Sequence, residues 1–129
     1  MAEQSGKRIL VVDDARLIRS YYRAALEPDG YAIEEAMNGI EALEKLLMQP
    51  ADLLIVDINM PMMDGLTFLK RLRRGDPSNA TTPVLMTSTE AKPSDRNAAR
   101  EAGANYYLIK PIAPDVLRLH VALMAGRDA

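Results

Sequence analysis

The sequence predicts an α/β protein whose parallel sheet of five strands is covered by five helices, because short apolar runs alternate with amphipathic segments. Ile9–Val12 and Leu53–Val56 are apolar without interruption, as strands buried on both faces of a parallel sheet tend to be. The segments between such runs repeat apolar residues at helical spacing. Right-handed crossovers between parallel strands put helices on both faces, so the predicted architecture is doubly wound.

In the first half of the chain, each predicted strand is followed by a polar turn and then by a helix or the next strand. The first run is rich in β-branched residues, and Pro28 and Gly30 end the helix that follows it. The predicted segments, in order, are a strand at Ile9–Val12, a helix at Leu17–Leu26, a strand at Tyr31–Ala36, a helix at Ile40–Met48 and a strand at Leu53–Val56.

The second half continues the same alternation after a turn that contains Pro61 and Gly65. Gly103 is placed to cap the fourth helix. The predicted segments are a helix at Gly65–Arg73, a polar loop through Thr82, a strand at Val84–Met86, a helix at Ser94–Ala102, a strand at Tyr106–Ile109 and a helix at Asp115–Met124. The basic residues that end the third helix are interpreted as solvated and favourable to the helix dipole: Lys70, Arg71, Arg73 and Arg74.

Composition narrows the classes of function. A chain of 129 residues with 48% apolar residues is expected to form one domain, spanning 1–129, with no separate output domain. The net charge of −2 gives no reason to expect broad attraction to nucleic acid or to a membrane surface. The absence of cysteine excludes disulfides, zinc–thiolate sites and thiol nucleophiles. Because Met1–Lys7 is polar and no apolar stretch could span a membrane, we expect a cytoplasmic protein.

Polar residues stand where the predicted strands end. Because parallel strands all end at one edge of the sheet, ligands bind at that edge and these side chains should converge there. They are Asp13 and Asp14 after the first strand, Asp57 after the third, Thr87 and Ser88 after the fourth, and Lys110 after the fifth.

An acid after a strand is often only the N-cap of the next helix, and this explanation would account for Asp14. It does not account for two adjacent acids, a third at Asp57 and a lysine opposite them. Two carboxylates about 4 Å apart repel by roughly 4 kcal/mol at an effective dielectric constant near 20. The cluster therefore predicts a bound hard cation, Mg²⁺ first and Mn²⁺ as the alternative.

Four motifs follow one another along the chain: Val12-Asp13-Asp14, the segment Asp57–Gly65, Ser88, and Lys110-Pro111. Together they resemble the receiver domains of bacterial response regulators, specifically the CheY-like single-domain type. The resemblance covers roughly residues 8–124 and implies a flavodoxin-like sheet with strand order 2-1-3-4-5. It also implies a cis peptide bond before Pro111.

By this resemblance, Asp57 is the phosphoacceptor of a Mg²⁺-dependent reaction. Asp13 and Asp14 form the metal-binding pair with Asp57, and the backbone carbonyl of Asn59 is a further metal ligand. Lys110 contacts the phosphoryl group.

Ser88 is expected to bind a phosphoryl oxygen after transfer, with Thr87 as the competing candidate for this role. Tyr107 matches the aromatic switch position, although an ordinary half-buried strand tyrosine is an equally good interpretation. The resemblance also implies that the lifetime of the phosphoryl group depends on Asn59, Glu90 and Thr89, the last a departure from the small residue usual there.

The function expected from the resemblance is two-component signalling by a stand-alone response regulator, in chemotaxis or another phosphorelay. The implied partners are a sensor histidine kinase or histidine phosphotransfer protein, and a downstream protein on the face formed by the fourth helix, last strand and last helix. The protein is expected to be a monomer, with dimerisation on activation as an alternative, and to have no activity beyond its own phosphorylation and dephosphorylation. The alternatives are a metal-dependent aspartyl-phosphate phosphohydrolase and a binding scaffold that ignores phosphate.

Overall fold

The structure is a computed structural model that describes residues 6–126. Residues 1–5 and 127–129, which include most of the polar N-terminal segment and both ends of the predicted domain, lie outside the described residues. The strands are β1 (Arg8–Val12), β2 (Ala32–Ala36), β3 (Leu53–Asp57), β4 (Val84–Ser88) and β5 (Tyr106–Ile109). The main helices are α1 (Arg16–Leu26), α2 (Gly39–Met48), α3 (Gly65–Arg74), α4 (Pro93–Ala102) and α5 (Pro114–Met124).

The five strands form one parallel sheet in the order β2-β1-β3-β4-β5, which confirms the order implied by the resemblance. Every residue of the three central strands β1, β3 and β4 is buried. The edge strands β2 and β5 are partly exposed, because each has a neighbour on one side only. Burial on both faces was therefore predicted correctly for the central strands, whereas β5 is a half-exposed edge.

Two hydrophobic cores lie on opposite faces of the sheet, because successive side chains of a strand point to opposite faces. Leu10, Val12 and Val56 face the core that is covered by α2, α3 and α4. Ile9 and Val11 face the second core, which α1 and α5 cover. The helices are thus divided between the two faces, as the doubly wound prediction requires.

The predicted elements agree with the structure to within one or two residues at each end. The main difference is an additional helical turn at Pro77–Ala80, inside the segment predicted to be a polar loop. Asp76 caps this turn by accepting a hydrogen bond from the amide of Ser78, and Pro77 occupies its first position. The cis peptide bond between Lys110 and Pro111 is confirmed.

The start of α3 is fixed close to the end of β3. Asp64 caps α3 by accepting a hydrogen bond from the amide of Thr67. A Cβ atom on Gly65 would lie 2.4 Å from the backbone oxygen of Asp57 and 2.9 Å from Cα of Ile58. Only glycine permits this approach, which brings the loop 58–64 back against the end of β3.

Arg73 is not solvated, so the interpretation of the basic helix end was wrong for this residue. Its guanidinium donates hydrogen bonds to the backbone oxygens of Gly103, Ala80 and Thr82, and to the side chain of Asn105. Burial lowers the pKa of Arg73. This side chain therefore ties α3 to the loop after the helical turn and to the end of α4. Between residues 6 and 126, no helix combines the length and apolarity needed to cross a bilayer.

Candidate functional site

The carboxyl ends of β1 and β3 bring three acids together. β1 and β3 are neighbours in the sheet, with Val12 opposite Val56, so the residues that follow them lie side by side. One carboxylate oxygen from each of Asp13, Asp14 and Asp57 lies within 4.8 Å of the others. The convergence predicted from the strand ends is thus present in the structure.

Lys110 faces these acids from the end of β5. Its Nζ lies 2.7 Å from Oδ2 of Asp13 and 3.3 Å from Oδ1 of Asp57. Its backbone amide donates a hydrogen bond of 2.8 Å to the backbone oxygen of Ser88, which fixes the end of β5 against the end of β4. The pocket therefore contains three carboxylates and one ammonium group, a net charge of about −2 when all are ionised.

Asp13 and Asp14 differ in their surroundings. Asp13 is 1% exposed, and its Oδ1 accepts a hydrogen bond from the amide of Ala15, whereas Asp14 is exposed. Ala15, not Asp14, occupies the N-cap position of α1, and no side chain caps this helix. The explanation of Asp14 as a helix cap is therefore wrong, and its carboxylate is open to solvent beside the other two acids.

The pocket perturbs the acid–base behaviour of its members. Burial raises the pKa of Asp57 and the charge of Asp13 raises it further, against the smaller opposing effects of Lys110 and the amide of Asn59. Burial alone would lower the pKa of Lys110, but the hydrogen bond to Asp13 and the charges of Asp13 and Asp57 outweigh it and raise the pKa. An uncompensated acidic pocket of this kind favours a cation.

Tyr22 of α1 lies beneath the pocket and was not singled out by sequence reasoning. Burial raises its pKa to about 12, and Lys110 opposes this shift. The guanidinium of Arg19 donates to the backbone oxygen of Asp13 at 2.7 Å, so a second residue of α1 holds the end of β1. The sequence shows that Arg19 and Tyr22 belong to one helix, but the helical pattern does not indicate which side chains of this helix reach the sheet edge.

The hydroxyl groups at the end of β4 point to different surroundings, although both residues are fully buried. The hydroxyl of Thr87 donates to the backbone oxygen of Val56 at 3.4 Å and also contacts the Tyr22 side chain. The hydroxyl of Ser88 accepts a hydrogen bond from the amide of Glu90, and Ser88 lines a small cavity together with Asn59. Ser88 thus borders a cavity, whereas Thr87 is hydrogen-bonded within the sheet.

The same cavity, of about 90 Å³, reaches Tyr107 on β5. The Tyr107 hydroxyl donates a hydrogen bond of 2.8 Å to the backbone oxygen of Glu90, and the guanidinium of Arg96 lies 5.3 Å from the centre of its ring. Tyr107 is thus connected to the loop that follows Ser88, the last residue of β4. Asn59, Thr89 and Glu90 are exposed, and Asn59 and Glu90 line this cavity.

A parallel doubly wound sheet with an acidic pocket and a lysine at its carboxyl edge defines a class of α/β phosphoacceptor proteins. Comparison with known proteins gives the family: residues 9–122 match the response regulator receiver domain. The chain belongs to the response regulator receiver family, whose members are phosphoacceptors in two-component signalling.

Individual similar proteins agree with this family assignment. The transcriptional regulatory protein ResD of Bacillus subtilis is 35% identical over 127 residues, which are 98% of this chain and 51% of ResD. A putative response regulator from Chloroflexus aurantiacus has a similar structure, with a TM-score of 0.88, 35% identity, and coverage of 95% of this chain and 99% of that one.

The chemotaxis response regulator CheY4 of Vibrio cholerae is also similar, with a TM-score of 0.86, 34% identity, and coverage of 92% of this chain and 98% of that one. The chain thus matches whole CheY-like structures but spans only about half the length of the curated relative ResD.

Proposed function

We propose that Asp57 accepts a phosphoryl group from a histidine kinase or histidine phosphotransfer protein, in a reaction that depends on Mg²⁺. The observation that supports this proposal is the meeting of Asp13, Asp14 and Asp57 within 4.8 Å, opposite the ammonium group of Lys110. No single helix or strand explains this cluster, since its members come from the ends of three strands. Their common feature is access to one point at the sheet edge.

In the transfer step, a carboxylate oxygen of Asp57 attacks the phosphorus atom of a phosphohistidine. The new bond is the oxygen–phosphorus bond of an acyl phosphate, the nitrogen–phosphorus bond breaks, and the donor imidazole takes up a proton from solvent. Lys110, 3.3 Å from Asp57, is placed to pair with a phosphoryl oxygen. The amide of Asn59, which donates to the Asp57 carboxylate, helps to orient the attacking oxygen.

The residues present fit a magnesium ion, because all candidate ligands are oxygens and the pocket carries excess negative charge. Asp13, Asp14, Asp57 and the backbone carbonyl of Asn59 would hold it. When bound, the ion would neutralise charge on the transferring group. Asp14 is the acid that solvent reaches most easily, so it offers a ligand without breaking an existing ion pair.

Phosphorylation would act as a switch through Ser88 and Tyr107. The added group carries about −1.5 to −2 charges and attracts hydrogen-bond donors. If the Ser88 hydroxyl turned towards it, the hydrogen bond from Glu90 to Ser88 would be lost. The Tyr107 hydroxyl donates to the backbone oxygen of Glu90. Movement of the loop that carries Glu90 would therefore release the Tyr107 ring. The surface formed by α4, β5 and α5 would then change.

This surface already has the character of a protein interface. Tyr106, Leu119 and Leu123 are large apolar residues with about half or more of their surface exposed on β5 and α5. We propose that this surface binds the downstream partner. Residues 1–129 would act as one receiver unit. This unit would be a monomer before activation, and the alternative is that activation causes it to dimerise. The predicted chemotaxis role and cytoplasmic location stay predictions.

Asn59, Glu90 and Thr89 would set how long the phosphoryl group lasts. All three residues are exposed, and Asn59 and Glu90 line the small cavity beside Ser88. The side chain of Thr89 would narrow the approach of water to the acyl phosphate more than a smaller residue would. Self-catalysed hydrolysis would therefore be slowed by bulk at this position and restored by Thr89→Ala.

The proposal is tested by incubating the protein with acetyl phosphate and measuring the mass of the intact chain. We expect the mass of one phosphoryl group on the wild type with Mg²⁺, and none on Asp57→Asn or with excess EDTA. Labelling of Asp57→Asn at the wild-type level, or labelling that ignores EDTA, would contradict the proposal. Continuous release of phosphate from small phosphoesters would instead indicate a phosphohydrolase.

A further inference from the structure

The loop between β3 and α3 presents a methionine at the apex of a strained turn. The amide of Met63 donates a hydrogen bond of 2.8 Å to the backbone oxygen of Pro61, which closes a three-residue turn around Met62. Met62 has a φ of 71°, in the left-handed region that glycine occupies without cost and a long side chain rarely adopts. A three-residue turn with such a central residue is rare and strained. The backbone therefore gives no reason for a methionine at this position.

Packing gives no reason for Met62 either. Met62 is 79% exposed, whereas its neighbours Met60 and Met63 are each 8% exposed and belong to the core that α2, α3 and α4 cover. A side chain left in water gains little from the hydrophobic effect. The property that remains is chemical, because the thioether sulfur of an exposed methionine is polarisable and open to oxidants.

A fixed hydrogen-bond donor faces this sulfur. Nδ2 of Asn38 lies 3.7 Å from Sδ of Met62 and donates to it. Asn38 is the N-cap of α2, where its Oδ1 accepts a hydrogen bond of 2.8 Å from the amide of Glu41. This second bond determines which end of the Asn38 amide faces α2, so its NH₂ group is aimed at Met62. A thioether is only a weak acceptor for such a donor.

We propose that Met62 is an oxidation site, converted by a hydroperoxide to methionine sulfoxide, and that Asn38 binds the new oxygen. In this step the sulfur loses two electrons and forms a bond to one peroxide oxygen. The O–O bond breaks, and the peroxide is reduced to water or to an alcohol. Because a sulfoxide oxygen is a stronger acceptor than a thioether, the donor of Asn38 gains a full hydrogen bond.

Oxidation would thus restrain the loop 58–64 by holding Met62 to the N-cap of α2. This loop carries Asn59, whose backbone carbonyl is a proposed metal ligand, so the restraint would act beside the acidic pocket. The oxidation site does not rest on the proposed phosphoacceptor function, because neither Met62 nor Asn38 belongs to that pocket. Oxidation of a packed methionine disrupts its surroundings, whereas here it would strengthen a contact.

The site is tested by treating the full chain with hydrogen peroxide and mapping the sulfoxides by peptide mass spectrometry. Met48, the last residue of α2, is 87% exposed and serves as the internal control for exposure alone. We expect Met62 and Met48 to be oxidised while Met60 and Met63 stay reduced in the folded protein. A Met62 that is still reduced when Met48 is fully oxidised would overturn the proposal.

Binding of the sulfoxide is tested by the sign of the stability change. Urea unfolding is compared for wild type and Met62→Leu, each before and after peroxide treatment, so that the effects of other methionines cancel. The fold should persist in this variant because the side chain is exposed. We expect oxidation of Met62 itself to lower the unfolding equilibrium constant about fivefold, as one added hydrogen bond implies. An unchanged or higher constant would contradict binding by Asn38.

Asn38→Asp is the matched variant for the donor. It keeps an acceptor for the amide of Glu41, so α2 remains capped, but it removes the NH₂ group. The gain in stability on oxidation should disappear, and a gain that persists would overturn the role of Asn38. In the wild type, the side-chain amide signals of Asn38 in the ¹H–¹⁵N NMR spectrum should shift on oxidation. Signals that stay in place would count equally against it.

Discussion

Asp57 lies between a carboxylate that repels it and an ammonium that attracts it. Its raised pKa shows that burial and Asp13 together outweigh Lys110 in the metal-free pocket. The proposed function needs an ionised Asp57. This ionised side chain lowers the free energy of unfolding until a cation binds. The crowding of acids that would suit Asp57 to the proposed role should therefore also lower the stability of the protein without metal.

Asp57→Asn should accordingly stabilise the metal-free protein. Removing one charge relieves the crowding of carboxylates while a side chain of similar shape remains. We expect a gain of about 1 kcal/mol, which corresponds to a rise in melting temperature of about 4 °C. The measurement is thermal unfolding in EDTA, followed by titration with Mg²⁺, which should stabilise the wild type more than the variant. An equal or lower melting temperature in EDTA would count against this explanation.

Lys110→Met should have the opposite effect. It leaves Asp13 and Asp57 without their shared cation, and breaking a buried ion pair costs about 3 kcal/mol. Because Mg²⁺ would replace the missing positive charge, it should recover more stability in this variant than in the wild type. Urea unfolding with and without Mg²⁺ measures both quantities, and a loss that Mg²⁺ leaves unchanged would contradict the electrostatic explanation.

The site residues that follow directly after strands could be predicted from the sequence. The residues that reach the site through tertiary contacts could not. Asp13, Asp14, Asp57 and Lys110 each follow a strand, so parallel pairing alone brings them to one edge. The resemblance favoured Ser88 over Thr87, and the structure adds that Ser88 lines the small cavity while Thr87 donates to the backbone oxygen of Val56.

Among the elements, α3 illustrates how backbone proximity positions the site. Its first residue, Gly65, lies against the backbone of Asp57, and its amide donates to the backbone oxygen of Ile58 at 2.8 Å. The loop that carries Asn59 is thereby folded back against the sheet edge.

Gly65→Ala should therefore destabilise the protein by about 1–3 kcal/mol, because the new methyl group would meet backbone atoms that cannot turn away. It should also weaken Mg²⁺ binding by displacing Asn59. Gly39→Ala is a matched control at the first residue of α2, where the closest neighbour is the flexible side chain of Met63, at 2.9 Å. Chemical denaturation of both variants checks this, and equal losses would contradict the assigned role of the Asp57 backbone.

Ion pairs with Glu35 connect α1 to the edge strand β2. Arg19 and Arg23 donate to its two carboxylate oxygens at 2.9 and 2.8 Å, and the hydrogen bond from Arg23 lowers the pKa of Glu35 most. Since the folded-state pKa is below the unfolded value, this stabilisation is present above about pH 4.5 and is lost as the pH falls through the folded-state pKa.

Glu35→Gln should thus cost about 0.5–1 kcal/mol at pH 7, the range for partly exposed pairs. The difference between wild type and variant should shrink as the pH is lowered below about 4.5. Urea unfolding at pH 7, 5 and 3.5 measures it. A difference that stays constant across these pH values would show that the carboxylate charge is not its origin.

The long elements were predictable because their apolar periodicity is strong, whereas the segment between α3 and β4 was not. The Asp76-Pro77 pair marks the start of its helical turn, but a single turn has too few residues to show a period. Arg73 was assigned to solvent because a basic residue near a helix end usually lies there. Its hydrogen bonds to Gly103 and Asn105 join residues 30 and 32 positions apart in the chain, which no local pattern reveals.

At the scale of the whole molecule, the sheet connects the pocket to the proposed output surface. Asp57 is opposite Thr87 in the pairing of β3 with β4, and Ser88 is opposite Ile109 in the pairing of β4 with β5. The acidic pocket and the loop after β4 therefore lie at one edge, and the Tyr107 hydroxyl reaches this loop at the backbone oxygen of Glu90. The proposed switch would therefore act through the loop after β4 and Tyr107.

The most direct test of this account is a ¹H–¹⁵N NMR spectrum recorded with Mg²⁺ and then with beryllium fluoride, which mimics the phosphoryl group on an aspartate. We expect Mg²⁺ alone to shift signals near Asp13, Asp14 and Asp57, and beryllium fluoride to extend the shifts to Ser88, Tyr107 and α4. Asp57→Asn should show no response to beryllium fluoride. A wild-type spectrum that beryllium fluoride leaves unchanged in the presence of Mg²⁺ would contradict the claim that Asp57 is the phosphoacceptor of a switch.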